Sequence, residues 1–229
     1  MNSIWTVLGG WGIAPEILSP VFGPDSHYID TNILMEEIIE NGHLRQDWRD
    51  RCAALLRPHL NSSPLLAGWS TGALIALGCA PRLSISALII ISGTPSFCCT
   101  PDFPFGTSSR ILRLMRKRLS TSKEAVLHEF RALCGLPPSS TFDIPWSAPT
   151  LIDGLHALEQ ITFATPPSLP CSPLFIHGTN DAIISPEGGE YFYNALGGTL
   201  VTLEAQHACF INNTEKCISI IDDYLEGRS

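Results

Sequence analysis

The pentapeptide Gly68-Trp69-Ser70-Thr71-Gly72 has the spacing of a G-x-S-x-G turn; it closes an apolar run, Leu65–Gly68, and opens a small-residue stretch, Thr71–Ala80. A serine hydroxyl attacks a carbonyl well when a tight strand-to-helix turn thrusts it outward beside a helix N-terminus, whose positive potential favours a developing oxyanion. Ser70 is therefore the candidate nucleophile. The same five residues would also suit an ordinary glycine-flanked turn with a capping serine, so the reading depends on a base and an acid. Serine needs an imidazole to take its proton, and the imidazole needs a carboxylate to fix its tautomer and stabilise its charged form. Among the seven histidines, His207 falls just after the apolar run Thr199–Leu203 and ahead of a terminal amphipathic stretch, where a parallel sheet presents loops at its carboxyl edge. His177 ends a run itself and reads as a hydrogen-bonded core residue, while His27, His43, His59, His128 and His156 fall in loops or on polar helix faces. Asp181 follows Leu174–His177 at the same expected edge, with Glu204 as the alternative acid. The resulting order is Ser70, Asp181, His207, with steps of 111 and 26 residues.

Acyl transfer also requires backbone donors aimed at the tetrahedral oxygen. The N–H of Thr71, next to the nucleophile, is one candidate, and the N–H of Trp11 in Gly9-Gly10-Trp11-Gly12 is the other. That loop matches neither a dinucleotide fingerprint nor a lysine-bearing P-loop, which argues against nucleotide binding. No cofactor or metal is called for.

The elements that must position these residues follow from hydrophobic patterning. Strands are expected at Ile4–Leu8, His27–Asp30, Leu65–Gly68, Ala87–Ile91, Leu174–His177 and Thr199–Leu203, and helices at Met35–Arg57, Thr71–Ala80 and Lys216–Leu225. Their alternation predicts an α/β fold, a mostly parallel sheet with helices on both faces. Between about Thr94 and Pro173 the chain is proline-rich, with loop-like stretches at Pro137–Pro149 and Thr165–Pro173 and helical composition at Ile111–Leu119 and Lys123–Leu133. This segment is expected to form a small helical cap inserted into a single domain spanning residues 1–229.

Composition sets the outer limits. With 229 residues, 45% apolar and 16% charged, the chain can fill one core, which excludes a predominantly disordered state. A net charge of −8 opposes binding to nucleic acid or an anionic membrane. Yet Arg110, Arg113, Arg116, Lys117, Arg118 and Lys123 fall in one stretch free of acidic residues. On a cap, that run would either be a solvated helix face or hold an acidic partner. The eight cysteines have no C-x-x-C spacing, so they read as reduced thiols of a cytoplasmic protein. No export signal or membrane span is expected, and a monomer is. Trp69, Phe103, Phe105 and Phe130 are candidates to line an apolar acyl channel.

Together these residues resemble the α/β-hydrolase superfamily and, within it, the pimeloyl-[acyl-carrier protein] methyl ester esterases of biotin synthesis. The resemblance rests on Gly10-Trp11-Gly12, Gly68-Trp69-Ser70-Thr71-Gly72, Glu129-Phe130-Arg131-Ala132-Leu133, Gly178 to Asp181, and His207-Ala208-Cys209-Phe210-Ile211. It implies hydrolysis of a methyl ester on a pimeloyl chain attached to acyl-carrier protein, with substrate contacts at Trp11, Thr71 and the lid residues Phe130, Arg131, Ala132, Leu133 and Cys134. Two features depart from the pattern. Gly9-Gly10 stands where the family usually has His-Gly, and the first parallel strand is reached without the antiparallel hairpin common in such enzymes. The same triad would also serve a thioesterase or general carboxylesterase, and a catalytically silent binding module docking through the cap is the alternative from another class.

Overall fold

The computed structural model describes residues 3–61, 63–137 and 145–227, so positions 138–144 of the expected loop Pro137–Pro149 lie outside the described residues, and its last two residues, Ala148 and Pro149, open a helix instead. Strands β1 (Thr6–Leu8), β2 (His27–Ile29), β5 (Leu65–Trp69), β6 (Ala87–Ile91), β7 (Leu174–Gly178) and β8 (Thr199–Leu203) form one six-stranded sheet in the order β2-β1-β5-β6-β7-β8. Every pairing in it is parallel. The helices are α1 (Ser19–Phe22), α2 (Thr31–Ile38), α3 (Trp48–Leu60), α4 (Thr71–Cys79), α5 (Ser109–Leu133), α6 (Ala148–Gln160), α7 (Pro186–Leu196) and α8 (Thr214–Glu226).

The central strands are almost wholly apolar because both faces of the sheet are covered. Successive residues point to opposite faces. Leu66, Leu88, Ile90 and Phe175 join the core shared with α2 to α6, whereas Ala67, Trp69, Ile89, Ile91 and Ile176 join the core beneath α1 and α8. The edge strand β8 keeps only Leu203 fully buried. None of the helices among the described residues is long and apolar enough to cross a membrane.

The cap helices α5 and α6 lie between β6 and β7 in the chain. Non-helical dihedrals at Ser122 (φ −150°, ψ 52°) divide α5 into two pieces, at the boundary expected between Ile111–Leu119 and Lys123–Leu133. Leu112, Leu119, Val126 and Leu127 of α5 and Leu151, Leu155 and Leu158 of α6 are buried in the same core as the sheet.

One expected element is corrected. Met35–Arg57 is not a single helix: α2 stops at Ile38, a short antiparallel hairpin of β3 (Ile39–Glu40) and β4 (His43–Leu44) follows, and α3 begins at Trp48. Asn41 and Gly42 at its tip have φ of 52° and 77°. Two consecutive positive φ values are what a two-residue turn matched to strand twist requires, and Asn-Gly is the pair that adopts them most readily. Local turn chemistry here outweighs helical periodicity.

Candidate active site

The chain runs from β1 outward to β2 and then returns across to β5, so loops leaving the carboxyl ends of β1 and β5 part in opposite directions and open a crevice. Gly9-Gly10-Trp11-Gly12 leaves β1 there, and Ser70 leaves β5 beside it. Ser70 has φ 57° and ψ −117°, a strained conformation for a residue with a side chain. It is held from both ends: the Ser70 N–H donates to Ile91 O (3.0 Å), and the Ser70 carbonyl accepts from Ala73 N (3.0 Å) and Leu74 N (3.3 Å). The flanking glycines are required by close approach. A Cβ at position 68 would strike the backbone of Gly72 and Ala73, and one at position 72 would strike the carbonyls of Leu8 and Gly9.

His207 and Asp181 meet at the ends of β8 and β7. Asp181 Oδ2 lies 2.8 Å from His207 Nδ1, with both side chains fully shielded from solvent. Asp181 Oδ1 accepts from the amides of Ile183 (2.8 Å) and Ile184 (2.9 Å), so the carboxylate is fixed by three bonds. Burial opposes its ionised form, but the charge and hydrogen bond of His207, with the Ile184 amide, outweigh burial and hold the carboxyl below its usual range. An ionised carboxylate can only accept, so Nδ1 carries a proton, and in the neutral imidazole Nε2 is the ring nitrogen with the lone pair. That Nε2 is buried and has no hydrogen-bond partner among the described residues.

Trp69 links this pair to the elbow. Its indole N–H donates to His207 O (3.2 Å), its ring lies 5.5 Å from the imidazole, and it immediately precedes Ser70. Ser92 Oγ donates to the same carbonyl at 2.8 Å. The β1 loop closes the other side, since a Cβ on Gly10 would come within 3.0 Å of the Trp69 ring and 3.5 Å of Ser70 Cβ. His177 sits beneath the pair, with Nε2 3.0 Å from Ile184 O and 3.4 Å from Asp181 Oδ2. Burial pushes its pKa down, so it is the neutral, hydrogen-bonded core histidine that its position implied. Glu204 is exposed, and the carboxylate on the His207 ring is that of Asp181.

The cap contributes next. The Trp11 indole donates to Leu151 O of α6 (2.9 Å), its ring meets Phe130 of α5 edge to face at 5.0 Å, and Arg131 Nη2 donates to Gly12 O (3.2 Å). Trp11, Phe130 and Arg131 are thus brought together at the β1 loop. Cys134 is buried and its carbonyl accepts from Ala208 N (2.9 Å), next to His207, while Ala132 and Leu133 are exposed. Phe103 and Phe105 cluster instead with Tyr191 of α7, at ring distances of 5.4 to 5.9 Å.

The basic run divides into two groups. Arg116 is largely covered and pairs with Glu159 of α6 (2.7 Å), Arg118 pairs with Glu129 (2.6 Å), and Lys123 donates to Trp146 O (3.0 Å). Arg110, Arg113 and Lys117 are exposed beside exposed Ile111 and Leu114.

Residues bracing the β1 loop escaped sequence reasoning. Thr31 Oγ1 donates to Gly9 O (2.9 Å) and lies 3.4 Å from Gly10 O, and Asn32 Oδ1 accepts from Gly12 N (2.8 Å). Asp30-Thr31-Asn32 ahead of an apolar periodic stretch was the available signal, since it marks a helix start.

No family model matches the chain. The structure superposes on an esterase from Exiguobacterium antarcticum with a TM-score of 0.78 and 16% identity, covering 99% of this chain and 93% of that one. It superposes with a TM-score of 0.66 and 15% identity on MGS-M2, an α/β hydrolase enzyme from a Medee basin deep-sea metagenome library, covering 99% and 90%. The fold is that of the α/β-hydrolases. In sequence, the chain is 23% identical over 242 residues to the pimeloyl-[acyl-carrier protein] methyl ester esterase of Stenotrophomonas maltophilia strain R551-3, covering 97% of this chain and 93% of the relative.

Proposed function

We propose that this protein is a serine carboxylesterase that hydrolyses the methyl ester of a pimeloyl chain carried on acyl-carrier protein, in the cytoplasmic synthesis of biotin. The observation that supports the esterase reading is the buried His207–Asp181 pair, tied through Trp69 to the strained Ser70 elbow. The substrate reading is supported by near-full-length similarity, at 22–23% identity, to enzymes of that name.

In this reaction His207 Nε2 takes the Ser70 proton as Oγ bonds to the ester carbonyl carbon, and the carbonyl π pair moves onto oxygen. The Trp11 and Thr71 amides stabilise that oxyanion; Thr71 is the first residue of α4, and an N–H at that position has no partner within its helix. Collapse of the intermediate breaks the bond to the methoxy oxygen, which takes the proton from His207 and leaves as methanol. Water then attacks the acyl-enzyme, giving its proton to His207, and the second collapse returns that proton to Ser70. The products are methanol and a carrier-bound chain with a free carboxylate. Asp181 stays ionised and stabilises the imidazolium at each step.

Trp11, Phe130 and Arg131 form the cap side of the acyl site in this scheme, with Trp69 at its base. Exposed Arg110, Arg113 and Lys117 offer an acidic carrier protein three cations that, among the described residues, no ion pair occupies. All eight cysteines are free and six are buried, which accords with a reducing compartment. The test is incubation of the purified protein with the methyl ester of pimeloyl-carrier, following methanol release and the loss of the methyl group by mass spectrometry. Turnover by the native chain and none by Ser70→Ala is expected; absence of turnover on this ester with hydrolysis of simple esters would overturn the substrate assignment.

A further inference from the structure

We infer that Thr31 and Asn32, at the first turn of α2, are positioning residues that aim the Trp11 amide at the oxyanion, a role resting on the serine-esterase reading above. Neither residue touches the reacting atoms. Both are almost completely buried, at 1% exposure each, and neither spends its side chain capping its own helix. Capping belongs to Asp30, whose Oδ1 accepts from Asn32 N (2.9 Å). The Thr31 hydroxyl instead reaches back to the Gly9 and Gly10 carbonyls, and the Asn32 carbonyl oxygen takes the Gly12 amide.

The consequence follows from peptide geometry. In a trans peptide the C=O and N–H point in opposite directions. Gly10 O lies on the Thr31 side, 3.4 Å from Oγ1 in the longer of that hydroxyl's two carbonyl contacts, so the N–H of the same plane, which is that of Trp11, points away from Thr31, while Gly10 itself packs against Trp69 and Ser70. The Trp11 N–H has no acceptor among the described residues. On the other side of Trp11, Asn32 fixes the next plane through Gly12 N, and Arg131 fixes the one after it through Gly12 O. A run of peptide planes is thereby clamped before substrate arrives, which is the condition for an oxyanion donor to act without reorganising.

The clamp is itself tied to the cap. Asp30 Oδ1 accepts from Asn32 Nδ2 (2.9 Å), which settles the orientation of the amide and leaves its oxygen for Gly12. Asp30 Oδ2 accepts from the indole of Trp146, just ahead of α6, at 2.7 Å. Seating of the cap and aim of the oxyanion donor are mechanically continuous through Trp146, Asp30 and Asn32.

The test compares Thr31→Val, which keeps the shape and removes the hydroxyl, with Thr31→Ser, which keeps the hydroxyl, using a short soluble ester so that carrier docking plays no part. Removing a whole oxyanion donor costs about 10²–10³ in kcat, so misaiming one should cost roughly 10-fold to 100-fold. Thr31→Val should show that loss with KM within about three-fold of native, because the donor acts chiefly in the transition state. Thr31→Ser should retain native kcat. Asn32→Ala is the second variant, with the same expected split. Native kcat in Thr31→Val, equal losses in the valine and serine variants, or a KM rise accounting for the loss would each overturn the inference. The ¹⁵N–¹H resonance of Trp11, read without substrate, separates this claim from the esterase reading. It should move in Thr31→Val and stay in Thr31→Ser even if the native chain hydrolyses nothing; an unmoved resonance overturns the positioning role whatever the turnover.

Discussion

Asp181 Oδ2 sits 2.8 Å from His207 Nδ1, with both side chains closed off from water, although the residues are 26 positions apart on the loops of two neighbouring parallel strands. A carboxylate so placed sets the imidazole tautomer. Asp181→Asn should leave the fold intact and reverse that preference, lowering kcat for ester hydrolysis by about 10³–10⁴-fold. Steady-state rates with a matched thermal unfolding scan check this, and a loss below ten-fold would count against it.

The two buried groups under the site predict how stability varies with pH. His177 has a lowered pKa in the folded chain, chiefly from burial, so the unfolded chain binds more protons just below the ordinary histidine value of about 6.5. Its contribution is complete above that value and is lost as pH falls toward the lowered folded pKa. Asp181, also lowered, contributes above about 3.9 and loses that contribution as pH falls through its folded pKa. Denaturant titrations at pH 7, 6 and 5 should show falling stability, and His177→Gln should flatten this slope without removing the further loss below pH 4.

The elbow glycines are held by contact rather than by flexibility. Gly72→Ala places a methyl group on the Leu8 and Gly9 carbonyls, so β1 and α4 must separate. A cost of about 3 kcal/mol is expected from overpacking of this kind. Chemical denaturation of the variant measures it, and a change under about 0.5 kcal/mol, typical of an unconstrained surface site, would contradict it.

Charge reversal on the cap separates carrier docking from chemistry. Arg110→Glu, Arg113→Glu and Lys117→Glu together should lower kcat/KM on a carrier-bound ester at least ten-fold and leave a small soluble ester unchanged. Arg116 is unsuitable for this test, because its pairing with Glu159 joins α5 to α6 and its loss would disturb the cap itself.

Much of the site could be read from the chain because its residues follow apolar runs closely. Ala87–Ile91 and Thr199–Leu203 have the limits expected of them, since turn-forming or polar residues bracket each run. Ser70, Asp181 and His207 each fall just past such a run, which places them at one sheet edge without knowledge of any contact. Where tertiary or turn chemistry decides, the pattern fails. Asn41-Gly42 interrupts an otherwise helical periodicity, and α7, with two glycines among its eleven residues, has a weak helical signature. The bonds of Thr31, Asn32 and Trp146 join segments distant in sequence, and no spacing along the chain announces them.

The most direct test of the nucleophile is covalent labelling. A fluorophosphonate incubated with the native chain should form one adduct, located to Ser70 by peptide mass spectrometry, with labelling abolished in Ser70→Ala and strongly slowed in His207→Ala and Asp181→Asn. An unlabelled native protein, or an adduct on another residue that persists in Ser70→Ala, would contradict the assignment of Ser70.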